Sequence, residues 1–144
     1  MAEDIERKAS AVWQGTLKEG SGKISVSSGY VKDVPYTWAS RFASDKGTNP
    51  EELLGAAHAA CFAMNLSSLL TQKDYNIRSI NVEAAVYMTS SAPRSITHIK
   101  LTVHAKVDEL EADMFQTQAE EAKRSCPLSK ALASVPIELE AHLG

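Results

Sequence analysis

The segment from Asn49 to Gln72 restricts what this chain can fold into more than any other. It opens with a helix-start pattern. Asn49 can cap, Pro50 suits the first helical position because its ring fixes φ, and Glu51 and Glu52 favour the positive end of the helix dipole. Ala, Leu and Met then occupy nearly every side, which predicts a helix buried all round rather than docked by one face. The most apolar stretch, Leu53 to Met64, is about a dozen residues long and contains His58, short of the ~18 or more of a membrane span. The expectation is a core helix, with no membrane partner.

The rest of the chain must cover that helix. Ile80, Val82, Ala84, Val86 and Met88 alternate strictly, as do Ile99, Leu101, Val103, Ala105 and Val107, with Ser90-Ser91-Ala92-Pro93 between them. That is the pattern of an antiparallel pair with one wet face. Ile137, Leu139, Ala141 and Leu143 predict a last strand. Leu110, Met114, Phe115, Ala119 and Ala122 predict an amphipathic helix ending near Ser125. Upstream, the apolar set Ala11, Trp13 and Leu17, the turn at Glu19-Gly20-Ser21-Gly22 and the run Lys23 to Ser27 read as a hairpin, with a further short strand over Tyr36 to Ser40. Strands outnumber helices without βαβ alternation, so the expected class is α+β with antiparallel sheet. One small half-wet sheet covers only one side of the central helix. A second subunit is expected to supply the rest, giving a homodimer whose interface involves Leu53 to Leu70.

Length and charge bound the remaining classes. The 144 residues suit one domain, 1–144, and the 44% hydrophobic and 23% charged content is that of a globular protein. A net charge of -3, with Trp13, Trp38, Tyr30 and Tyr36 scattered among few cations, argues against a nucleic-acid partner. The first ten residues carry no apolar h-region, so the expected location is the cytoplasm.

In that compartment the two cysteines, Cys61 and Cys126, are not expected to form a permanent staple, and they lack the spacings of a zinc site. They are either two buried thiols or a reactive pair. A reactive thiol needs a nearby cation or a helix N-terminus to lower a free pKa of ~8.5, and Ala59, Ala60, Phe62 and Ala63 supply neither. Arg41, between aromatics, is one candidate source of charge. A helix break near Ala59 or Ala60, which Gly55 would permit, is another route, because it would leave Cys61 at a helix start. Glu51 lies about 15 Å from Cys61 along an unbroken helix, so it reaches the sulfur only through a break or through an arginine. Lys123 and Arg124 put positive charge near Cys126. Whether the cysteines meet depends on tertiary packing. Among the histidines, His98 and His104 are about 20 Å apart on one strand and cannot share a metal ion. His58 reads as a core or interface residue and His142 as a surface one.

The stretch Asn49-Pro50-Glu51-Glu52-Leu53-Leu54-Gly55-Ala56-Ala57-His58-Ala59-Ala60-Cys61-Phe62 resembles the signature of the OsmC/Ohr family of cysteine peroxidases, most closely its osmotically induced OsmC branch. Trp13 with Gly15, Pro35-Tyr36, Arg41-Phe42, Lys46-Gly47-Thr48 and Cys126-Pro127 extend the similarity over nearly the whole chain. The resemblance implies an intertwined α+β homodimer with central buried helices, and reduction of organic hydroperoxides, with hydrogen peroxide reduced less well. It implies that Cys61 is the peroxidatic cysteine, Cys126 the resolving one, Arg41 the arginine that holds the thiolate and Glu51 the carboxylate that orients that arginine. The sulfenic acid formed at Cys61 would condense with Cys126, and a dithiol donor, a lipoylated protein in this family, would restore both thiols. No metal, haem or flavin cofactor is implied. Two other readings of the residues remain: an apolar-ligand-binding dimer that senses oxidation without turnover, and a thiol hydrolase acting on esters.

Overall fold

A computed structural model describes residues 3–144. The chain divides into two compact units, the first ending at Pro50 and the second running from Glu51 to Gly144.

In the first unit, strands β1 (Ala9–Gln14), β2 (Ser21–Val26) and β3 (Val34–Tyr36) form an antiparallel sheet in that order. The expected hairpin is β1 and β2. Trp13, Gly22 and Tyr36 lie side by side across the three strands, and the Trp13 and Tyr36 rings approach with centroids 5.4 Å apart. Gly22 is what allows this: a Cβ there would sit 2.5 to 2.8 Å from atoms of the two rings. The third strand ends sooner than its sequence suggests. Thr37 begins a reciprocal cap, accepting the Ser40 N–H at 3.1 Å while its own N–H donates to Ser40 Oγ at 2.9 Å, and the chain turns into the short helix α1 (Trp38–Phe42). The strand expected over Tyr36 to Ser40 is therefore mostly helix.

The second unit is built on α2 (Pro50–Gln72), β4 (Ile77–Met88), β5 (Ile96–Val107), α3 (Ala112–Ser125), α4 (Pro127–Ala131) and β6 (Ile137–Leu143). Its sheet has the order β4-β5-β6. β4 and β5 pair antiparallel as their alternation predicts, with Val82 opposite Val103 and Ala84 opposite Leu101. β6 departs from the all-antiparallel expectation and joins β5 in parallel, Ile99 beside Ile137 and Leu101 beside Leu139. The reason is the connection. α3 and α4 together form a crossover that carries the chain back to the end of the sheet where β5 started, which a parallel neighbour requires.

The α+β class stands. One buried cluster joins Phe62, Leu66 and Leu70 of α2, Ile99, Leu101 and Val103 of β5, Phe115 and Ala122 of α3, and Cys126. Burial contributes about 1.5–3 kcal/mol for each large apolar side chain. Within the chain, however, α2 is not buried all round. Gly55, His58, Phe62, Leu66 and Leu70 form one buried stripe, whereas Ala56, Ala57, Ala60 and Met64 are exposed, Met64 at 76%. A single sheet layer covers a single face. The helix is also longer than its most apolar stretch: at 23 residues it has the length and composition to cross a membrane, so length does not exclude a span. Its polar residues distinguish it, because His58 and Asn65 make hydrogen bonds to α4 and α3.

Candidate active site

The two sulfurs meet. Cys61 Sγ and Cys126 Sγ lie 3.1 Å apart, both as free thiols, although 65 residues separate them. Cys61 comes from the middle of α2, which runs unbroken past it. The helix break weighed at Ala59 or Ala60 does not occur. Gly55 serves another purpose: a Cβ there would stand 3.2 Å from the Ala84 carbonyl oxygen and 3.4 Å from Val86 Cγ2, so the missing side chain lets α2 lie close on β4. Because the helix is continuous, Glu51 in its first turn remains about 15 Å from Cys61 along the axis.

Cys126 is the joint between α3 and α4. Its N–H donates to Ala122 O at 3.0 Å as the last bond of α3, and its carbonyl accepts the Lys130 N–H at 3.0 Å as the first of α4. Pro127 explains the break, since a proline disfavours the helical conformation in the residue before it, and Cys126 has ψ 126°. The joint delivers the sulfur inward, fully buried, while Cys61 remains partly exposed.

Electrostatics at Cys61 favour the thiol. Burial pushes its pKa above the ordinary thiol range, and the hydrogen bond with Cys126 pushes the same way. The opposing influence is a hydrogen bond from the backbone of Leu128, the second residue of α4. A helix start does face Cys61, but it is that of α4 rather than of a broken α2. Lys123 and Arg124, expected to put positive charge near Cys126, have acidic partners of their own. Each pairs with a carboxylate three residues earlier, Lys123 with Glu120 at 3.3 Å and Arg124 with Glu121.

A family described as OsmC-like protein matches residues 43–140, across the boundary between the two units and through both cysteines. Peroxiredoxin OsmC of Escherichia coli (strain K12) is 41% identical over 129 residues, covering 89% of this chain and 90% of that protein. The chain belongs to the OsmC-like family. The organic hydroperoxide resistance protein OhrB of Bacillus subtilis (strain 168) is a more distant relative, 30% identical over 65% of this chain and 69% of its own. Among solved structures, an OsmC-like protein from Mycoplasma pneumoniae superimposes with a TM-score of 0.76 over 98% of this chain and 99% of its own. An organic hydroperoxide resistance protein from Elizabethkingia anophelis gives 0.74 over 100% of both. At 16% and 22% identity, these two show the common fold.

Of the four residues that the OsmC resemblance singles out, Cys61 and Cys126 are adjacent. Arg41 stands in the last turn of α1, its guanidinium carbon 4.9 Å from the centre of the Phe42 ring, and Glu51 in the first turn of α2. His58 is fully buried, with Nε2 2.9 Å from Ser129 Oγ, no hydrogen-bond partner on Nδ1, and a pKa lowered by burial. His98 and His104 stack on different neighbours, Tyr87 and His142. Among the described residues no three His, Cys, Asp or Glu side chains converge to hold a metal ion.

Sequence reasoning missed the Leu128 amide, Asn65, Ser125 and Ser129. Asn65 Nδ2 donates to Ala122 O at 2.9 Å and Ser125 Oγ at 2.8 Å. A signal for it existed. His58, Cys61 and Asn65 are the polar residues at i, i+3 and i+7 of an otherwise apolar stretch, so they share one face of α2.

Proposed function

We propose that this chain reduces organic hydroperoxides through a Cys61 to Cys126 disulfide cycle. It is a thiol-based peroxidase of the OsmC-like family, as its relatives' names, peroxiredoxin OsmC and organic hydroperoxide resistance protein, support. The observation that carries the reading is the 3.1 Å contact between a partly exposed sulfur and a fully buried one. A peroxide arriving from solvent meets Cys61 first. The Cys61 thiolate attacks the terminal peroxide oxygen, the O–O bond breaks, and the alkoxide leaves as alcohol, with Cys61 becoming a sulfenic acid. Cys126, buried behind it, then attacks the Cys61 sulfur; the S–O bond breaks and water leaves as the S–S bond forms. An external dithiol, such as a lipoylated protein, returns both thiols by exchange.

Burial pushes the Cys61 thiol up, so a cation beside it would favour the thiolate that the first step uses. Arg41, oriented by Glu51, takes that role in this reading, with the Leu128 amide assisting. The two units act as one OsmC-like domain, which the span of the family match supports. The exposed Ala56, Ala57, Ala60 and Met64 side of α2 supports a homodimer with that helix at its interface. Steady-state consumption of an organic hydroperoxide with dihydrolipoamide tests the function. Many turnovers per subunit support it, whereas one stoichiometric oxidation followed by arrest would identify a redox sensor.

A further inference from the structure

Cys126 owes its position to a joint, and a joint is a poor platform for chemistry unless something holds it. Only short-range backbone bonds connect it to α3 and α4, and the helical path is interrupted at the residue itself. From the structure we infer that Asn65 and His58 are positioning residues for the disulfide-forming step, one clamping each side of the joint. The inference rests on the reading of Cys61 and Cys126 as the peroxidatic and resolving pair.

The register across the helices is regular. His58, Cys61 and Asn65 of α2 face Ser129, Cys126 and the Ala122–Ser125 turn, at 2.9 Å, 3.1 Å, and 2.9 and 2.8 Å respectively. The sulfur contact is the middle rung of three. Asn65 uses its amide nitrogen on both acceptors, and one of them, Ala122 O, is the carbonyl that also takes the Cys126 N–H. The other, Ser125 Oγ, is fixed in turn by donating to Glu121 O at 2.8 Å. Asn65 therefore binds the groups that end α3 immediately before the cysteine. On the far side, the buried His58 ring holds Ser129, one turn into α4. Apolar side chains at 58 and 65 would remove both of these ties.

The chemistry needs that tie. When Cys126 attacks the Cys61 sulfenic sulfur, the S–O bond breaks, the S–S bond forms, and the hydroxyl leaves as water with the proton from Cys126. The sulfurs must close from 3.1 Å to about 2.05 Å along one line. A misplacement of about 1 Å in such a step slows it up to roughly 100-fold. Loosening the joint should slow this step far more than the earlier attack on peroxide, in which Cys126 takes no part and the Leu128 amide only assists.

The experiment is a single turnover of the full-length reduced protein with tert-butyl hydroperoxide and no dithiol. Quenched samples are read by intact mass for thiol, disulfide and sulfinic acid, and by a sulfenic-acid trap for the intermediate. Asn65→Leu removes one clamp at nearly constant volume. Ser129→Ala removes the other from the partner side, without touching α2. The expected result is disulfide formation slowed by roughly 10- to 100-fold, sulfenic-acid formation slowed far less, and sulfinic acid at peroxide levels where the wild type shows none. Both variants matching the wild type in disulfide rate would overturn the inference, as would an equal slowing of both steps, which marks a general structural defect. If Asn65→Leu does not fold, Ser125→Ala combined with Ser129→Ala carries the same comparison. Failure of the wild type itself to form a Cys61 to Cys126 disulfide would overturn the peroxidatic reading first, and is recognised separately because no variant is involved.

Discussion

Oxidation of the pair should stiffen the protein by an amount that follows from its position in the chain. Linking Cys61 to Cys126 closes a loop of 65 residues in the unfolded state. The loop-entropy relation gives about 4 kcal/mol for a loop of that size, provided the native geometry accepts the bond without strain. The sulfurs already touch at 3.1 Å and need to move only about 1 Å, so little of that gain should be lost. For a domain near this size, roughly 2–4 °C of melting temperature accompanies each kcal/mol, which puts the oxidised form roughly 8–16 °C above the reduced form. Thermal unfolding followed by circular dichroism, at one protein concentration, compares reduced and peroxide-treated samples with Cys126→Ser as the control. The same free energy makes the folded disulfide harder to reduce by about 90 mV than the same pair in the unfolded chain, which favours a strong dithiol over a monothiol donor. Equal melting temperatures for the two forms, with the disulfide verified by mass, would refute the claim that the pair is pre-positioned.

Other outcomes follow from individual residues. Cys61→Ser should abolish peroxide turnover, while Cys126→Ser should allow one oxidation per subunit and then accumulate over-oxidised Cys61; equal activity of both variants with the wild type would remove the assignment. Arg41→Met should raise the Cys61 pKa and slow the reaction with peroxide at neutral pH, read by the pH dependence of thiol alkylation; an unchanged profile would mean that another group holds the thiolate. His58 has a folded-state pKa below the ordinary value of about 6.5, so between those two pH values the unfolded chain binds more protons. Its contribution to stability is complete above about pH 6.5 and is lost as pH falls toward the folded value, and denaturation of wild type and His58→Gln across that window should show the difference. Leu66→Ala, at a fully buried position, should lose about 2–5 kcal/mol in urea unfolding.

The elements were readable where periodicity alone decides them. β4 and β5 alternate strictly because one face of each is in the core, and the Asn49-Pro50-Glu51-Glu52 start of α2 is local chemistry. Features set by longer-range geometry were not readable. Ile137 to Leu143 alternates in the same way whether its neighbour runs parallel or antiparallel, so only the crossover through α3 and α4 fixes its direction. Gly55 illustrates the same limit in the site: a helix break and a close approach to β4 both call for glycine, and only the Ala84 carbonyl distinguishes them. The cysteines were found by type and by resemblance, but their contact, and the Leu128 amide beside Cys61, arise from a joint at residue 126 that no local pattern places against α2.

In the proposed cycle, the unequal exposure of the two sulfurs also sets the order of events. With Cys126 fully buried, the sulfur open to an incoming thiolate is the same one that is open to peroxide. In that cycle oxidant and reductant would use one entrance in alternation, each departing before the other arrives. That is the condition for ping-pong kinetics: parallel double-reciprocal lines as the dithiol is varied, and competitive inhibition by each substrate against the other when it is in excess.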